Sequence, residues 1–346
     1  MIDAPVLPPS AAGARRSLSR DSLPTISVVV PAYNSAQTLE PLIARLAPML
    51  LEMTSAFEII LVNDGSRDAS AAVAAGLAEQ HDFVRALDLM RNYGQHNALL
   101  AGIRAARYAL TVTMDDDLQH PPEELPKLLA ALTENLDVVY APPEAEQHGV
   151  LRDLASIITK IALGSAMGAE TARKVSAWRV FRTKVRDAFA AYHSPFVSID
   201  VLLTWGTTRF GAIRLRHDPR TIGKSNYTFR QLFRHAMTMI TGFSVLPLQI
   251  SSIVGFAFTL FGFGVLVFVL GKYLITGSSV AGFPFLASII AIFSGAQLFA
   301  LGMMGEYLAR MHFRMMDKPP YAVREDTGTN FAVAGLAALH ESELHG

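Results

Sequence analysis

The chain of 346 residues contains no cysteine, which excludes a disulfide framework, thiol catalysis and a Cys-ligated zinc centre. It has no excess of either charge, with 30 Lys and Arg against 30 Asp and Glu. A chain-wide basic field of the kind that attracts nucleic acid is therefore excluded. Charge is also scarce, at 17% of residues against 51% hydrophobic, an apolar balance for a soluble enzyme. Residues 1–24 lack the apolar stretch that an export signal needs behind the pair Arg15-Arg16. That segment is expected to be a disordered N-terminal tail.

The hydrophobic excess is local. No charged side chain occurs from Ala236 to Gly271, and after Lys272 none occurs until Glu306. A bilayer span takes about 20 apolar residues, and a charge at its centre costs roughly 2.5–3.5 kcal/mol on insertion scales. The competing reading, two buried helices of a soluble core, fits poorly because one face of such a helix usually meets water. The runs predict a transmembrane hairpin over 235–310, with helices near Ile250–Leu270 and Phe283–Met304. Arg230, Arg234 and His235 precede it, Arg310, His312, Arg314 and Lys318 follow it, and the loop between offers Lys272 alone. The positive-inside rule then places both termini and everything ahead of the hairpin in the cytoplasm. Residues 311–346 form a cytoplasmic tail on this reading.

Ahead of the hairpin, β-rich runs alternate with helical ones. Strands are expected at Ile26–Val30, Glu58–Val62, Val84–Leu89, Leu110–Met114 and Val138–Tyr140. Helices are expected around Leu39–Leu51, Ser70–Gln80, Asn97–Arg107 and Glu123–Leu132. Strands separated by single helices imply a parallel sheet with right-handed crossovers, and ligands bind such sheets beyond the carboxyl ends of the strands. The stretch 149–234 is less regular, with an amphipathic helix near Leu151–Leu163 and a basic run from Arg214 to Lys224. It is expected to complete the acceptor side of one domain spanning 25–234.

Three polar strand ends then fall on one rim. Asp115-Asp116-Asp117 follows an apolar strand, where crowded carboxylates are costly unless a cation neutralises them. Mg²⁺ favours one or two carboxylates plus phosphate oxygens and water, so the triplet suits a metal–diphosphate complex. Acidic turns are common, however, and the triplet alone decides nothing. Pro31-Ala32-Tyr33-Asn34 and Asn63-Asp64-Gly65-Ser66 end two more strands. Each alone is an ordinary strand-exit turn; together with the triplet they point to a nucleotide site.

The runs Val29–Asn34, Val62–Asp68, Arg91-Asn92-Tyr93-Gly94-Gln95-His96-Asn97-Ala98 and Met114–Glu124 resemble family 2 glycosyltransferases of the GT-A fold. Arg220–Tyr227, Gly295–Gln297 and Gly305–Tyr307 narrow the likeness to the polyprenyl-phosphate branch. That branch includes dolichol-phosphate mannose synthases and bacterial enzymes that load formamido-arabinose onto undecaprenyl phosphate. The resemblance covers about Ile26 to Tyr321. It implies an α/β, Rossmann-like, mostly parallel GT-A domain followed by the two-helix hairpin. It also departs from the family pattern at three points. The position after Asn34 is usually acidic and is Ser35 here; the middle of the triplet is usually small and is Asp116 here. Ala177 replaces an acidic residue that many relatives carry.

What the resemblance implies is an inverting transfer of a sugar from a nucleotide-sugar, UDP-linked rather than GDP-linked, to a polyprenyl phosphate in the bacterial inner membrane. Mg²⁺ or Mn²⁺ would be held by Asp115 and Asp117, with Asp117 the principal ligand. Pro31, Tyr33, Asn34, Asp64, Gly65, Asn92, Gly94, Asp115 and Asp116 would face the nucleotide. Arg179, Arg220, Lys224 and Ser225 would meet the acceptor phosphate, with Arg179 and Arg220 acting in catalysis. The Arg214–Lys224 run also fits a basic face on anionic lipid headgroups. The acceptor phosphate, with a second pKa near 6, is itself a competent nucleophile, so no strong base is required. His96 and His120 have no partner at metal spacing and read as structural, and Trp178 reads equally as packing or as a ligand-side surface. Relatives often assemble as tetramers, and Gly255, Gly262, Gly264 and Gly271 permit close helix contact. Two rivals remain. A processive polysaccharide synthase needs more spans and a Gln-x-x-Arg-Trp run absent here. An inactive nucleotide-binding scaffold would be expected to lose Asp117 or the basic patch.

Overall fold

A computed structural model describes residues 23–144, 167–218, 246–276 and 282–328. The expected helix near Leu151–Leu163 and the expected site residues Arg220, Lys224 and Ser225 lie outside these residues.

Three adjacent parallel strands carry the rim. Strand β1 (Thr25–Ala32) pairs in parallel with β2 (Ala56–Asn63) on one side and β4 (Leu110–Thr113) on the other, and β2 pairs in parallel with β3 (Val84–Leu89). Successive strand residues point to opposite faces, and here both faces are covered. Val28 and Val30 pack with helix α1 (Leu39–Met53) and helix α2 (Ser70–Gln80), while Val29 packs with helix α3 (Gln95–Ala105) on the other face. That is why β1 reads as an unbroken apolar run rather than an alternating one. The stripe Leu39, Leu42, Ile43, Leu46 and Leu50 of α1 is buried at helical spacing. On the other face, Gly102 of α3 lies against the side chains of Val29 and Val62, with no room for a β-carbon.

The far side of the sheet is mixed. After a 3₁₀ turn (Pro122–Glu124) and helix α4 (Leu125–Ala130) comes β5 (Val138–Tyr140). Strand β6 (Arg179–Arg182) follows helix α5 (Ala169–Lys174) and inserts antiparallel between β4 and β5. So β5 does not extend the parallel set directly. An arginine at each end of β6 hides it from a hydrophobic-pattern reading, although Val180 and Phe181 are fully buried. A 3₁₀ segment (Thr183–Phe189), helix α6 (Ile199–Gly206) and β7 (Phe210–Ala212) complete this side, with β7 parallel to β5.

Two long helices follow, α7 (Leu246–Thr276) and α8 (Phe283–Met315). They lie side by side, with the Phe258 and Phe293 rings 5.3 Å apart. Within α7, Leu248–Ile275 is long and apolar enough to cross a membrane, with a hydropathy of 2.6 and none of its most apolar window buried. Both helices outrun the spans expected from the charge-free runs. Helix α8 continues to Arg310, whose guanidinium stands 4.6 Å over the Phe196 ring of the sheet domain. The chain then returns to the sheet. Strand β8 (Val323–Asp326) pairs antiparallel with β3, closing the order β7-β5-β6-β4-β1-β2-β3-β8. Arg85 of β3 grips Asp326 of β8 through two bonds of 2.7 and 2.5 Å.

Candidate active site

Because β4, β1 and β2 are neighbours and parallel, their carboxyl ends open on one rim. The turns behind them are cross-tied. Asn34, with φ of 56°, adopts the left-handed conformation that asparagine tolerates. Its N–H donates to Ser66 Oγ at 3.0 Å, and Arg67 N–H donates to Asn34 Oδ1 at 2.9 Å. Tyr33 stands 43% exposed beside them. Pro31 lies two residues before Tyr33, in β1 and in register with Val62.

Asp64 is almost fully buried. Its two oxygens accept the N–H groups of Tyr93 at 2.7 Å and Gly94 at 2.8 Å. Burial pushes its carboxyl above the usual range, against these bonds and the nearby Arg91. Gly65, at φ of 61°, presses on the Arg91–Asn92 backbone so closely that a β-carbon would collide with it. The turn after β2 thereby fixes the loop that carries Asn92 and Gly94, and Gly94 opens α3 at φ of 96°. Asn92 is exposed on the rim. Beneath, the Asn63 side-chain amide donates to Asp88 Oδ1 at 2.6 Å.

The third turn holds the triplet, each carboxylate half-buried. Leu118, at φ of 61°, reverses the chain, and Gln119 N–H donates to Asp117 Oδ1 at 3.1 Å. The Gln95 amide donates to Asp115 Oδ1 at 2.7 Å, and Ser35 Oγ donates to Asp116. His120 sits directly under the turn and accepts the Asp115 N–H on Nδ1 at 3.1 Å. Its ring stacks on Trp178 at 5.2 Å and meets His217 edge-on at 5.0 Å. Burial, then His217 and Arg179, hold its pKa down to about 3, so the imidazole is a neutral strut. Among the described residues no group of three or more His, Asp or Glu converges as a metal cage. Two oxygen donors on a turn still fit Mg²⁺ or Mn²⁺, which takes its remaining ligands from phosphate and water.

Arg179, expected at the acceptor phosphate, instead lies below the rim, buried against its own carboxylate partner. It is 2% exposed and paired with Asp200, and its Nε–H donates to Thr113 Oγ1 at 2.9 Å. Tyr140 O–H completes the cluster on Asp200 at 3.1 Å. The guanidinium thus touches the last residue of β4, two positions before Asp115. His96 accepts the Ile199 N–H at 3.3 Å and anchors α6 to α3. Pattern reading did not single out Gln95, Asp88, Asp200 or His217. Gln95 stands inside a quoted motif, whereas the other three take their place only from the fold.

A doubly wound sheet with nucleotide-type turns and a carboxylate triplet on one rim defines a GT-A transferase. Residues 27–189 match the model of the family described as Glycosyl transferase family 2. The undecaprenyl-phosphate 4-deoxy-4-formamido-L-arabinose transferase of Photorhabdus laumondii is 32% identical over 316 residues, covering 90% of this chain and 97% of that protein. The protein of the same name from Pseudomonas aeruginosa is 34% identical over 301 residues, 86% of this chain and 89% of that one. Glucosyl-3-phosphoglycerate synthase of Mycobacterium tuberculosis, solved with Mn²⁺, UDP and glucosyl-3-phosphoglycerate, aligns over 66% of this chain and 84% of its own at 18% identity and a TM-score of 0.48. The chain belongs to glycosyl transferase family 2 and is a glycosyltransferase.

Proposed function

We propose that this enzyme transfers a sugar from a nucleotide-sugar, a UDP-sugar by preference, to a polyprenyl phosphate such as undecaprenyl phosphate, with inversion at the anomeric carbon. The product is a lipid-linked sugar donor for cell-envelope glycans. The observation that carries the reading is the Asp115–Asp117 turn beside the two nucleoside turns, in a chain whose sheet domain is followed, after β7, by the apolar helix α7. Similarity to the formamido-arabinose transferases, running through the helical pair and over nearly their whole length, supports the lipid acceptor.

In this reading Tyr33 offers its exposed ring to the base, and Asn34, Asp64, Gly65, Asn92 and Gly94 shape the nucleoside slot. Asp115 and Asp117 would hold the divalent cation, which when bound neutralises charge developing on the leaving diphosphate. Gln95 fixes the direction of the Asp115 carboxylate. Arg179, its charge met by Asp200, supports the turn from beneath through Thr113. The acceptor phosphate is mostly dianionic at neutral pH and attacks unaided. His120, buried and neutral, is not asked to be a base. Arg220, Lys224 and Ser225 are assigned to the acceptor phosphate, where arginine suits a bidentate contact and lysine a point charge. Helices α7 and α8 serve as a two-pass anchor that keeps this site at the cytoplasmic membrane surface, and oligomers form through them.

The test uses detergent-solubilised protein, undecaprenyl phosphate, Mg²⁺ or Mn²⁺ and a panel of radiolabelled UDP- and GDP-sugars. Metal-dependent passage of label into the organic-extractable lipid is expected from one donor. Nucleotide and lipid binding without transfer from any donor would contradict the reading, and growth of a polymer would replace it with the synthase.

A further inference from the structure

The Asp115-Asp116-Asp117 turn contains one carboxylate more than a metal–diphosphate complex needs. A third negative charge between two others repels both and carries a desolvation cost. The structure shows where it points. Asp115 faces Gln95 of α3, whereas Asp116 faces Ser35, on the turn after β1. Ser35 is a buried node at 7% exposure. Its Oγ donates to Asp116 and accepts the Tyr33 N–H at 3.1 Å. Its own N–H donates to Ser70 Oγ at 2.7 Å, and Ser70 Oγ donates to Asp68 at 2.5 Å on the turn after β2. Its carbonyl accepts Thr38 N–H at 3.0 Å at the start of α1. One residue therefore joins all three rim turns, its hydroxyl reaching the triplet and its backbone N–H reaching the turn after β2 through Ser70. Ser35 and Asp116 are also two of the positions where the motifs depart from the resembled pattern, small replacing acidic and acidic replacing small. The two departures touch.

We infer that Asp116 is a positioning residue, neither metal ligand nor nucleoside contact, whose carboxylate latches the metal-binding turn onto the nucleotide-binding turns through Ser35. The latch holds Asp115 and Asp117 at a fixed distance from Tyr33 and Asn34, so that cation and nucleoside are gripped in register. This inference rests on the proposed role of Asp115 and Asp117 in holding the cation.

The experiment is Mn²⁺ binding by the full chain in detergent, followed by electron paramagnetic resonance with and without UDP. The variants are Ser35→Ala, Asp116→Asn, Asp116→Ala, the double Ser35→Ala/Asp116→Ala and the exchange Ser35→Asp/Asp116→Ser, with melting temperature measured alongside. Ser35→Ala is expected to weaken Mn²⁺ binding in the presence of UDP about five- to tenfold, the scale of one intramolecular hydrogen bond. The double variant should lose no more than Asp116→Ala alone, because both substitutions open the same latch. The exchange returns a carboxylate to the same gap from the other turn and should recover most of the affinity. Wild-type affinity in Ser35→Ala, beside a loss in Asp116→Asn, makes Asp116 a ligand or a source of field and overturns the latch. A fall in melting temperature with unchanged Mn²⁺ affinity makes it packing and also overturns the latch. Failure of the wild type to take up Mn²⁺ with UDP would instead strike the metal reading of the site, and the latch with it.

Discussion

The turn after β2 and the turn after β4 both present carboxylates on the same rim, with β1 between them, yet their surroundings differ in kind. Asp64 receives a backbone N–H on each oxygen, so the protein meets its needs and the aspartate organises the loop around Asn92 and Gly94. The triplet crowds three carboxylates into one turn, where the Gln95 amide, the Ser35 hydroxyl and the Gln119 N–H each meet one of them. A lone carboxylate held by two backbone donors is architecture, whereas three adjacent carboxylates repel one another, a cost that a cation bound as proposed would relieve. The same residue type thus sits in two settings, set apart by how many like charges share the turn.

Asp117→Ala should break that contrast most severely. It removes a proposed cation ligand, and transfer is expected to fall about 10²–10³-fold, the scale on which a lost electrostatic contact to developing charge is felt. The melting temperature should hold, because no core contact is lost. Gly65→Ala attacks the other turn. It forces a side chain into a left-handed conformation against the Arg91–Asn92 backbone, with an expected cost of about 1–3 kcal/mol from strain. Thermal denaturation should show the loss, and UDP affinity should fall with it while the carboxylate triplet is untouched.

A third variant sharpens the comparison from outside the rim. Asp88 accepts from Asn63 on Oδ1 and from Arg324 of β8 on Oδ2, at 2.6 and 3.1 Å. The strand arriving from α8 is thereby tied to the turn that carries Asp64. Asp88→Ala is expected to weaken UDP binding several-fold, about 1 kcal/mol for one lost charge-assisted contact, and calorimetry of UDP binding would measure it. The smallest effect concerns the edge itself. Burial raises the Asp326 pKa, but the Arg85 pair and the Gly328 N–H outweigh it and hold the carboxyl below its usual value. A carboxylate depressed in the folded state contributes stability above its unfolded pKa and loses it as pH falls through the folded one. The melting-temperature gap between the wild type and Asp326→Asn should be constant at neutral pH and close in the range below about pH 4.

Much of this was legible before the structure. The apolar runs of β1 to β4, the helices between them and the polar strand ends all follow from period and punctuation, and Leu39–Leu51, Ser70–Gln80 and Phe283–Met304 lie inside helices of the structure. β6 and β8 were not legible. Arg179–Arg182 and Val323–Asp326 are short and rich in charge, and they become strands because β4 and β5 on one side of the sheet, and β3 on the other, offer their backbone partners. Gln95 sits in a readable motif, but its bond to Asp115 depends on how α3 meets the rim. Asp88, Asp200 and His217 carry no sequence signal at all, since their partners are Asn63, Arg179 and His120, far away in the chain. Ser35 and Asp116 were visible as two separate departures, and only the fold makes them a pair.

The most direct test of the contrast between the two turns is the affinity for UDP, measured by titration calorimetry with and without Mn²⁺, in the wild type and in Asp117→Ala. Mn²⁺ should tighten UDP binding in the wild type, and Asp117→Ala should bind UDP at the metal-free level whether or not Mn²⁺ is present. An Asp117→Ala variant that still responds to Mn²⁺ like the wild type, or a wild type indifferent to it, would contradict the account.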